Sequence, residues 1–214
     1  MSISQRLKDI TDKLPSQVEL VAISKTKPEE DILEAYNVGQ RHFGENKVQD
    51  LVSKYEHLPK DINWHFIGHL QSNKVKYIAP FIHLVHAVDS EKLLRTLQKE
   101  ALKNDRSISC LLQAKVAKEE TKFGLSFSDI EALMAKKDEF PNVNIIGLMA
   151  MATNTSDLEE VKDEFKRVND FFLTFENEEF KVLSIGMSND WPIAIEQGSN
   201  MIRVGSSIFG PRNY

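Results

Sequence analysis

A lysine at the end of an apolar run carries the first chemistry that the sequence suggests. Lys25 closes the run that starts at Val21, and Pro28 and three acidic residues at 29–31 follow it, which is typical of a strand leading directly into a helix. Val21, Ile23 and Lys25 alternate and so share one strand face. If that face is buried, desolvation lowers the pKa of the Lys25 amine, and a neutral amine can form a Schiff base with an aldehyde. Taken alone, these residues also fit a solvated lysine at a strand end.

Two loops rich in glycine and serine could hold an anion. Residues 186–190 and Gly205 to Ser207 each follow an apolar run. Small side chains let backbone N–H groups approach an anion, and serine hydroxyls add donors. Ordinary turn chemistry is the alternative, since Gly, Ser and Asn mark many strand-to-helix loops. Arg203 alternates onto the face of Gly205, and because a buried arginine needs a partner, we expect it to meet a ligand or a carboxylate.

The histidines do not indicate a metal site by their spacing. His65 and His69 are roughly 13 Å apart if the chain between them is extended at ~3.3 Å per residue. His83 and His86 are predicted on opposite faces of their strand, and Cys110 is the single cysteine. We therefore expect no metal. A Gly-x-Ser-x-Gly motif is also missing, which argues against a hydrolase of that type.

Short apolar runs alternate with longer amphipathic segments along the whole chain. This alternation predicts parallel strands with right-handed crossovers, and eight strands predict a closed (β/α)8 TIM barrel with its site at the carboxyl ends of the strands. An open doubly wound sheet would show a glycine-rich fingerprint after the first strand, which is not found here. The predicted strands are 20–24, 41–44, 64–68, 84–88, 108–116, 144–151, 181–186 and 201–204. The predicted helices are 3–14, 28–38, 46–57, 71–78, 90–104, 128–138, 157–177 and 190–198.

The last strand is expected to lack its own helix. Little sequence follows position 204, so the N-terminal helix is predicted to cover the place of the missing last helix. Residues 156–159 and 128–131 have the Ser-x-x-Glu pattern of capping boxes. With no linker or change in composition, residues 1–214 are expected to form one domain.

Composition excludes several classes of function. The 214 residues carry a net charge of −5, and no basic run exceeds two residues, so nucleic-acid binding is not expected. No apolar stretch reaches the ~18 residues of a membrane span, and no signal peptide is recognisable. We expect Cys110 to be buried, and the chain to be a soluble, cytoplasmic monomer.

Taken together, several segments carry a specific resemblance. The chain resembles the pyridoxal phosphate homeostasis proteins, which are single-domain relatives of the barrel half of alanine racemase. The matching segments occur in the family's order over nearly the full chain. They are Val21-Ala-Ile-Ser-Lys-Thr-Lys-Pro28, Phe43-Gly-Glu-Asn46, Trp64-His-Phe-Ile-Gly-His-Leu-Gln-Ser-Asn-Lys74, Leu183-Ser-Ile-Gly-Met-Ser-Asn-Asp190 and Arg203-Val-Gly-Ser-Ser-Ile-Phe-Gly210.

The resemblance implies a cofactor and a set of residues around it. Lys25 would carry pyridoxal 5′-phosphate (PLP) as a Schiff base. The other implied residues are Ser188, Gly205 and Ser206 at the phosphate with Met187 beside them, Arg203 at the pyridine nitrogen and Asn46 in the pocket wall. The chain departs from the family at Lys115, where Asn is usual, at Lys118, where Gly is usual, and at Asn200, where Thr is usual. These departures concern the pocket wall.

The resemblance also bears on activity. PLP enzymes that use the ring as an electron sink keep its nitrogen protonated, usually with a carboxylate partner. The guanidinium of Arg203 disfavours that proton. Racemisation in the related enzyme needs a second acid–base group from an additional β domain, which we do not expect here.

Three hypotheses follow. The first is a PLP-binding protein that stores, buffers or delivers the cofactor without strong catalysis, with amines, amino acids or apo-PLP enzymes as its partners. The second is a PLP-dependent racemase or related enzyme. The third is a barrel enzyme for another phosphorylated metabolite, in which Lys25 forms the Schiff base.

Overall fold

Eight parallel strands form a closed barrel in chain order. The computed structural model describes residues 1–119 and 123–211, and β1 pairs with β2 and, at the closure, with β8. The strands are β1 (Glu19–Ile23), β2 (His42–Glu45), β3 (Asn63–Phe66), β4 (Leu84–Val88), β5 (Ile108–Ala114), β6 (Val143–Ala150), β7 (Val182–Ser184) and β8 (Met201–Val204). The predicted TIM barrel is confirmed, with each strand within a few residues of its expected position.

Helices alternate with these strands on the outside. They are α1 (Ile3–Thr11), α2 (Glu29–Asn37), α3 (Val48–His57), α4 (Val75–Ile78), α5 (Glu91–Lys103), α6 (Phe127–Met134), α7 (Leu158–Leu173), α8 (Trp191–Glu196) and α9 (Ser206–Phe209). In the described part of the chain, no helix is both long and apolar enough to cross a bilayer.

The expectation that no helix follows β8 was wrong, because α9 forms one short turn there. The N-terminal helix α1 packs against α2 and α9, as its expected covering role requires. Its side chains Ile3, Leu7 and Ile10 are buried, and Arg6 Nε donates to Ile208 O in α9 at 2.5 Å. One terminal helix and one short turn therefore close the flank of β8 together.

Both predicted capping boxes were also placed on the wrong residues. Helix α7 is capped by Asp157, whose side chain accepts from the N–H groups of residues 159 and 160. Helix α6 is capped by Ser126, which forms a capping box with Asp129. In each case a neighbouring residue with an equally good acceptor takes the cap.

The core has two layers, as a closed barrel of parallel strands requires. Large side chains fill the space between the sheet and the helices, among them Phe165 and Phe172 of α7. A second apolar cluster is built mainly from Val21, Ile23, Leu84, Leu111, Met149 and Met201. Cys110 is buried as expected, and this burial raises the pKa of its thiol.

Candidate functional site

Lys25 lies in a tight turn directly after β1. The N–H of Lys27 donates to the carbonyl of Ser24 at 3.0 Å, and Thr26 between them has φ +65°. This is the pattern of a type II turn, with Lys25 at its second position. A β-branched residue rarely adopts the left-handed conformation, and such strain persists only where surrounding contacts enforce it. Lys25 itself is half-buried.

A buried ion pair between Lys54 and Glu45 holds the first residue of this turn. Lys54 Nζ of α3 lies 2.7 Å from Glu45 Oε1 and donates to the Ser24 carbonyl at 3.0 Å. Ser24 Oγ donates to the same Glu45 oxygen at 2.6 Å. Desolvation raises the pKa of Glu45, while Lys54 and Ser24 pull it down. The network thus fixes both the carbonyl and the hydroxyl of Ser24, immediately before Lys25.

This network was not predicted from the sequence. Glu45 belongs to the Phe43-Gly-Glu-Asn46 segment, and its side chain points to Lys54 on the outer side of the barrel. Phe43 and Glu45 alternate on one strand face, and Lys54 lies nine positions further along, in the helix that crosses back. That alternation is the signal that could have revealed the pair.

A second contact ties the turn to the end of the described chain. Lys27 Nζ donates to the carbonyls of Phe209 and Pro211, each at 2.9 Å. Because Phe209 ends α9, the loop after β1 and the segment after β8 are joined on the same rim. The Lys25 turn is therefore held by α3 on one side and by the C-terminal segment on the other.

The two glycine-serine loops meet beside this turn. Ser188 Oγ accepts from the N–H of Gly205 at 3.2 Å, so the loops after β7 and β8 are in direct contact. A Cβ on Gly205 would lie 3.2 Å from the Ile23 carbonyl oxygen, so its backbone packs against the strand that ends just before Lys25. Ser206 is exposed at the start of α9, where helical N–H groups have no intrahelical partner. The structure brings Ser188, Gly205 and Ser206 together on the Lys25 rim.

Met187 occupies the turn between Gly186 and α8. Its N–H donates to Asp190 Oδ1 at 2.5 Å, and its carbonyl accepts from the N–H of Trp191 at 2.9 Å. Gly186 has φ +95°, and a Cβ there would lie 2.6 Å from Ala194 Cβ. This position therefore needs glycine for both its conformation and its space. Met187 directly precedes Ser188 in this turn.

Arg203 is buried inside the barrel and meets neutral oxygens. Its Nη1 donates to the carbonyl and the hydroxyl of Ser184, both at 2.7 Å, and its Nη2 donates to the Ala150 carbonyl at 3.0 Å. Desolvation lowers the pKa of Arg203 to about 10, against a smaller raising effect of Asp190. The guanidinium therefore stays charged at neutral pH. Of the two expected partners, the carboxylate is replaced in these contacts by Ser184 and a backbone carbonyl, and the ligand remains a prediction.

The remaining predicted pocket residues are distributed between the two ends of the barrel. Asn46 follows β2 on the Lys25 rim, and a Cβ on Gly68 would lie 2.5 Å from the Asn46 carbonyl oxygen. Lys115 and Lys118 follow β5 and are exposed, and Lys118 pairs with Glu160 at 2.5 Å. Asn200 bonds instead to Lys181 and Leu183 at the start of β7. It lies at the opposite end of the strands and is not part of the rim.

A chain of histidines crosses the barrel interior, which spacing along single strands did not reveal. His42 Nδ1 lies 2.9 Å from His65 Nε2, and His65 Nδ1 lies 2.8 Å from His86 Nε2. His86 Nδ1 lies 3.2 Å from Ser184 Oγ, the hydroxyl that Arg203 contacts. The interior polar chain therefore runs from the start of β2 to Arg203.

The prediction that His83 and His86 lie on opposite faces was wrong, whereas the prediction that His65 and His69 lie apart agrees with the structure. His83 and His86 both contact His65, with ring centroids 5.3 and 5.1 Å away, although opposite faces were expected. His83 precedes β4, so strand alternation does not govern it. His69 pairs with Asp89 at 2.8 Å, separately from His65.

The rim offers the groups that a phosphorylated aldehyde needs. Lys25 supplies a primary amine, and Arg203 supplies a buried guanidinium. Ser188 Oγ accepts from the Gly205 N–H and so keeps its own O–H as a donor, between small residues that allow close approach. A surface cavity of about 520 Å³ lies elsewhere, between α6 and the segment 177–181, and none of its lining residues belongs to this set. The residues present fit PLP at the carboxyl ends of the strands.

Comparison with known proteins places this barrel in a class. The family model for the alanine racemase N-terminal domain matches residues 1–213. Alanine racemase from E. faecalis shares the fold with a TM-score of 0.78 at 17% identity, covering 98% of this chain and 57% of that chain. The fold is that of the alanine racemase barrel.

Closer relatives define the family within that class. The pyridoxal phosphate homeostasis protein of Vibrio alginolyticus is 38% identical over 230 residues, covering 100% of this chain and 99% of the relative. The structure of PipY from Synechococcus elongatus with PLP bound has a TM-score of 0.90 and 36% identity, covering 98% of this chain and 100% of that one. The chain belongs to the family of pyridoxal phosphate homeostasis proteins.

Proposed function

We propose that this protein binds PLP covalently through Lys25 and acts in intracellular PLP homeostasis by storing, buffering or delivering the cofactor. The observation that carries the proposal is the close packing of Gly205 on Ile23, with Ser188 bonded to Gly205. It sets a small-residue anion cradle beside the turn that presents the lysine. The homeostasis-protein relatives and the PLP-bound PipY structure support the same cofactor.

In this proposal each rim residue has a distinct role. Ser188, Gly205 and Ser206 hold the phosphate through hydroxyl and N–H donors, because small residues allow close approach. Met187 lies beside them, Asn46 lines the wall and Arg203 faces the pyridine nitrogen. PLP supplies an aldehyde carbon that reacts with primary amines. The residues of this chain supply the lysine amine, the anion cradle and a fixed positive charge.

We also propose that the protein has no strong amino-acid chemistry of its own. A guanidinium whose pKa is lowered to about 10 is still protonated at neutral pH, so it disfavours a proton on a ring nitrogen beside it. Electron withdrawal by the ring is then weak. The proposed setting is a cytoplasmic, monomeric, single-domain protein that exchanges PLP with amines, amino acids or apo-PLP enzymes.

Absorbance spectroscopy tests the cofactor. Purified protein mixed with PLP is expected to show the visible band of lysine-bound cofactor, and Lys25→Ala is expected to lose it. Lys47→Ala is the matched control, because Lys47 is exposed and directly follows Asn46 near the same rim. A variant Lys25→Ala that keeps the band, or a loss of the band in Lys47→Ala alone, contradicts the proposal.

Deuterium exchange separates the carrier from an enzyme. The PLP-loaded protein is incubated in D₂O with a panel of L-amino acids, and exchange at the α-carbon is followed by NMR. Exchange no faster than with free PLP is expected. Rapid exchange that depends on Lys25 would favour the racemase alternative.

A further inference from the structure

Three histidine rings form a triangle at the amino end of the barrel, opposite the Lys25 rim. The ring centroids of His42 and His65 are 5.1 Å apart, those of His65 and His83 are 5.3 Å apart, and those of His42 and His83 are 5.5 Å apart. Each residue offers one ring nitrogen such that all three nitrogens lie within 4.8 Å of one another. We call these three residues the histidine triangle.

Strand register produces this triangle. His42 is the first residue of β2, and Gly44, two residues later, pairs with His65 of β3. His65 in turn pairs with Leu84, the first residue of β4, which His83 directly precedes. The three side chains therefore come from neighbouring strands at nearly the same level of the barrel.

The triangle is open to solvent on one side and closed on the other. His83 is exposed, His42 is partly buried and His65 is fully buried. His65 uses its inner nitrogen, Nδ1, toward His86 at 2.8 Å, which leaves Nε2 facing the triangle. Metal-binding histidines usually donate their second ring N–H to a carboxylate, a carbonyl or water, and here the His86 imidazole takes that place.

A carboxylate and a guanidinium lie near the triangle. Glu19 Oε1 lies 3.3 Å from His42 Nε2, the ring nitrogen that does not face His65. Arg106 opposes a cation near His83, but its guanidinium is directed to the carbonyls of Ala79 and Ile82.

We propose that His42, His65 and His83 form a binding site for one divalent transition-metal ion of the zinc class, with Glu19 as a nearby carboxylate. Three imidazoles with an open fourth position suit Zn²⁺, whose Zn–N bonds of about 2.0–2.1 Å set tetrahedral nitrogens ~3.4 Å apart. The nitrogens now lie within 4.8 Å of one another, so Zn²⁺ binding requires the exposed His83 ring to move closer to the other two. The ion replaces the His42–His65 hydrogen bond. This site is separate from the proposed PLP site and does not depend on it.

Metal titration of the full chain tests the proposal. Protein treated with a chelator and desalted is titrated with Zn²⁺ in a calorimeter, and with Co²⁺ while visible absorption reports tetrahedral coordination. One ion per chain is expected. His83→Ala is expected to weaken Zn²⁺ binding by at least about tenfold, the loss that outer-shell substitutions alone typically cause.

The control is a histidine outside the triangle. His57→Ala removes an exposed histidine that pairs with Glu29 on the helical layer, and it is expected to bind Zn²⁺ as the unsubstituted protein does. His83→Gln, which keeps side-chain length, is the second variant, and circular dichroism checks that each variant is folded. Absence of saturable binding, equal binding by both His83 variants and the unsubstituted protein, or an equal loss in His57→Ala overturns the proposal.

Discussion

The two ends of the barrel assemble their polar groups in different ways. At the carboxyl end, Lys25, Ser188 and Gly205 come from three loops, each of which directly follows its own strand. At the amino end, His42 and His65 meet His83 through the register of neighbouring strands. The first arrangement can be predicted loop by loop once a barrel is assumed. The second requires knowing which residues of different strands lie at the same level.

The contacts that hold the polar groups in place also differ between the two ends. The Lys25 turn rests on a buried ion pair, Glu45 with Lys54, on the outer side of the barrel. The histidine triangle rests on neutral hydrogen bonds that continue through His86 to Ser184. Loss of one partner of the ion pair leaves an unpaired charge in the core and should lower the stability of the fold strongly. Substitutions on the solvent side of the histidine triangle should lower that stability only slightly. The following variants test this difference.

Removing Lys54 is expected to have the largest effect. Lys54→Ala leaves Glu45 buried without its cation, and breaking a buried pair on one side typically costs about 3–5 kcal/mol of unfolding free energy. Urea denaturation measures the loss. The control Lys166→Ala breaks an exposed pair with Asp170 and is expected to cost no more than about 0.5 kcal/mol. Equal effects of the two substitutions would show that the Glu45 pair does not support the rim.

The same variant should respond to pH with a defined sign. Desolvation raises the folded-state pKa of Glu45, and Lys54 is the strongest of the groups that lower it. A carboxyl group with a raised folded-state pKa stabilises the fold below its unfolded pKa, and that stability is lost as pH rises through the folded value. Without Lys54 this pKa rises further. The deficit of Lys54→Ala should therefore be larger at about pH 7 than at about pH 5, and a deficit that is constant over this range would contradict the account.

Ser188 is expected to have the next largest effect, on PLP affinity. Ser188→Ala removes a hydroxyl from the cradle, and a hydrogen bond to a charged group is worth about 1.5–3 kcal/mol, which corresponds to roughly 10-fold to 150-fold in affinity. Fluorescence titration with PLP measures it. Ser53→Ala, at an exposed position of α3, should leave PLP affinity unchanged. If Ser188→Ala binds PLP as tightly as the unsubstituted protein does, the phosphate does not bind at the Ser188 hydroxyl.

Removing the charge of Glu19 is expected to have the smallest of these effects, a weaker binding of Zn²⁺ at the amino end of the barrel. Glu19→Gln removes the negative charge 3.3 Å from His42 Nε2, and outer-shell changes of this kind cost about 10–100-fold in metal affinity. The same variant should load PLP normally, because Glu19 starts β1 at the end opposite Lys25. Calorimetry with Zn²⁺ and absorbance with PLP provide both values. A change in PLP loading with unchanged Zn²⁺ affinity would reverse the assignment of the two ends.

Much of the fold could be predicted because apolar runs and amphipathic segments alternate regularly. Helix α9 was missed because Gly205 and two serines look like a turn, although four residues are enough for one helical turn against α1. The caps were misplaced because Ser126 and Asp157 compete with Ser128 and Ser156, which have similar capping strength. Such choices depend on tertiary contacts rather than local preference.

The residues of the candidate site likewise form two groups, one that could be predicted from the sequence and one that depends on tertiary contacts. Lys25, Ser188, Gly205 and Ser206 could be predicted to share a rim, since each follows a strand of one barrel. The partners of Arg203 could not, because Ser184 and Ala150 lie on other strands and contribute mainly backbone oxygens. Glu45 with Lys54 and the histidine triangle likewise depend on packing between elements.

Adduct mapping tests the central claim most directly. The protein is loaded with PLP, reduced with borohydride, digested and analysed by mass spectrometry. The account predicts one adduct with the mass of reduced PLP, on Lys25, in the peptide that also contains Thr26. An adduct on other lysines with Lys25 unmodified, or a carbonyl compound of different mass on Lys25, would contradict it.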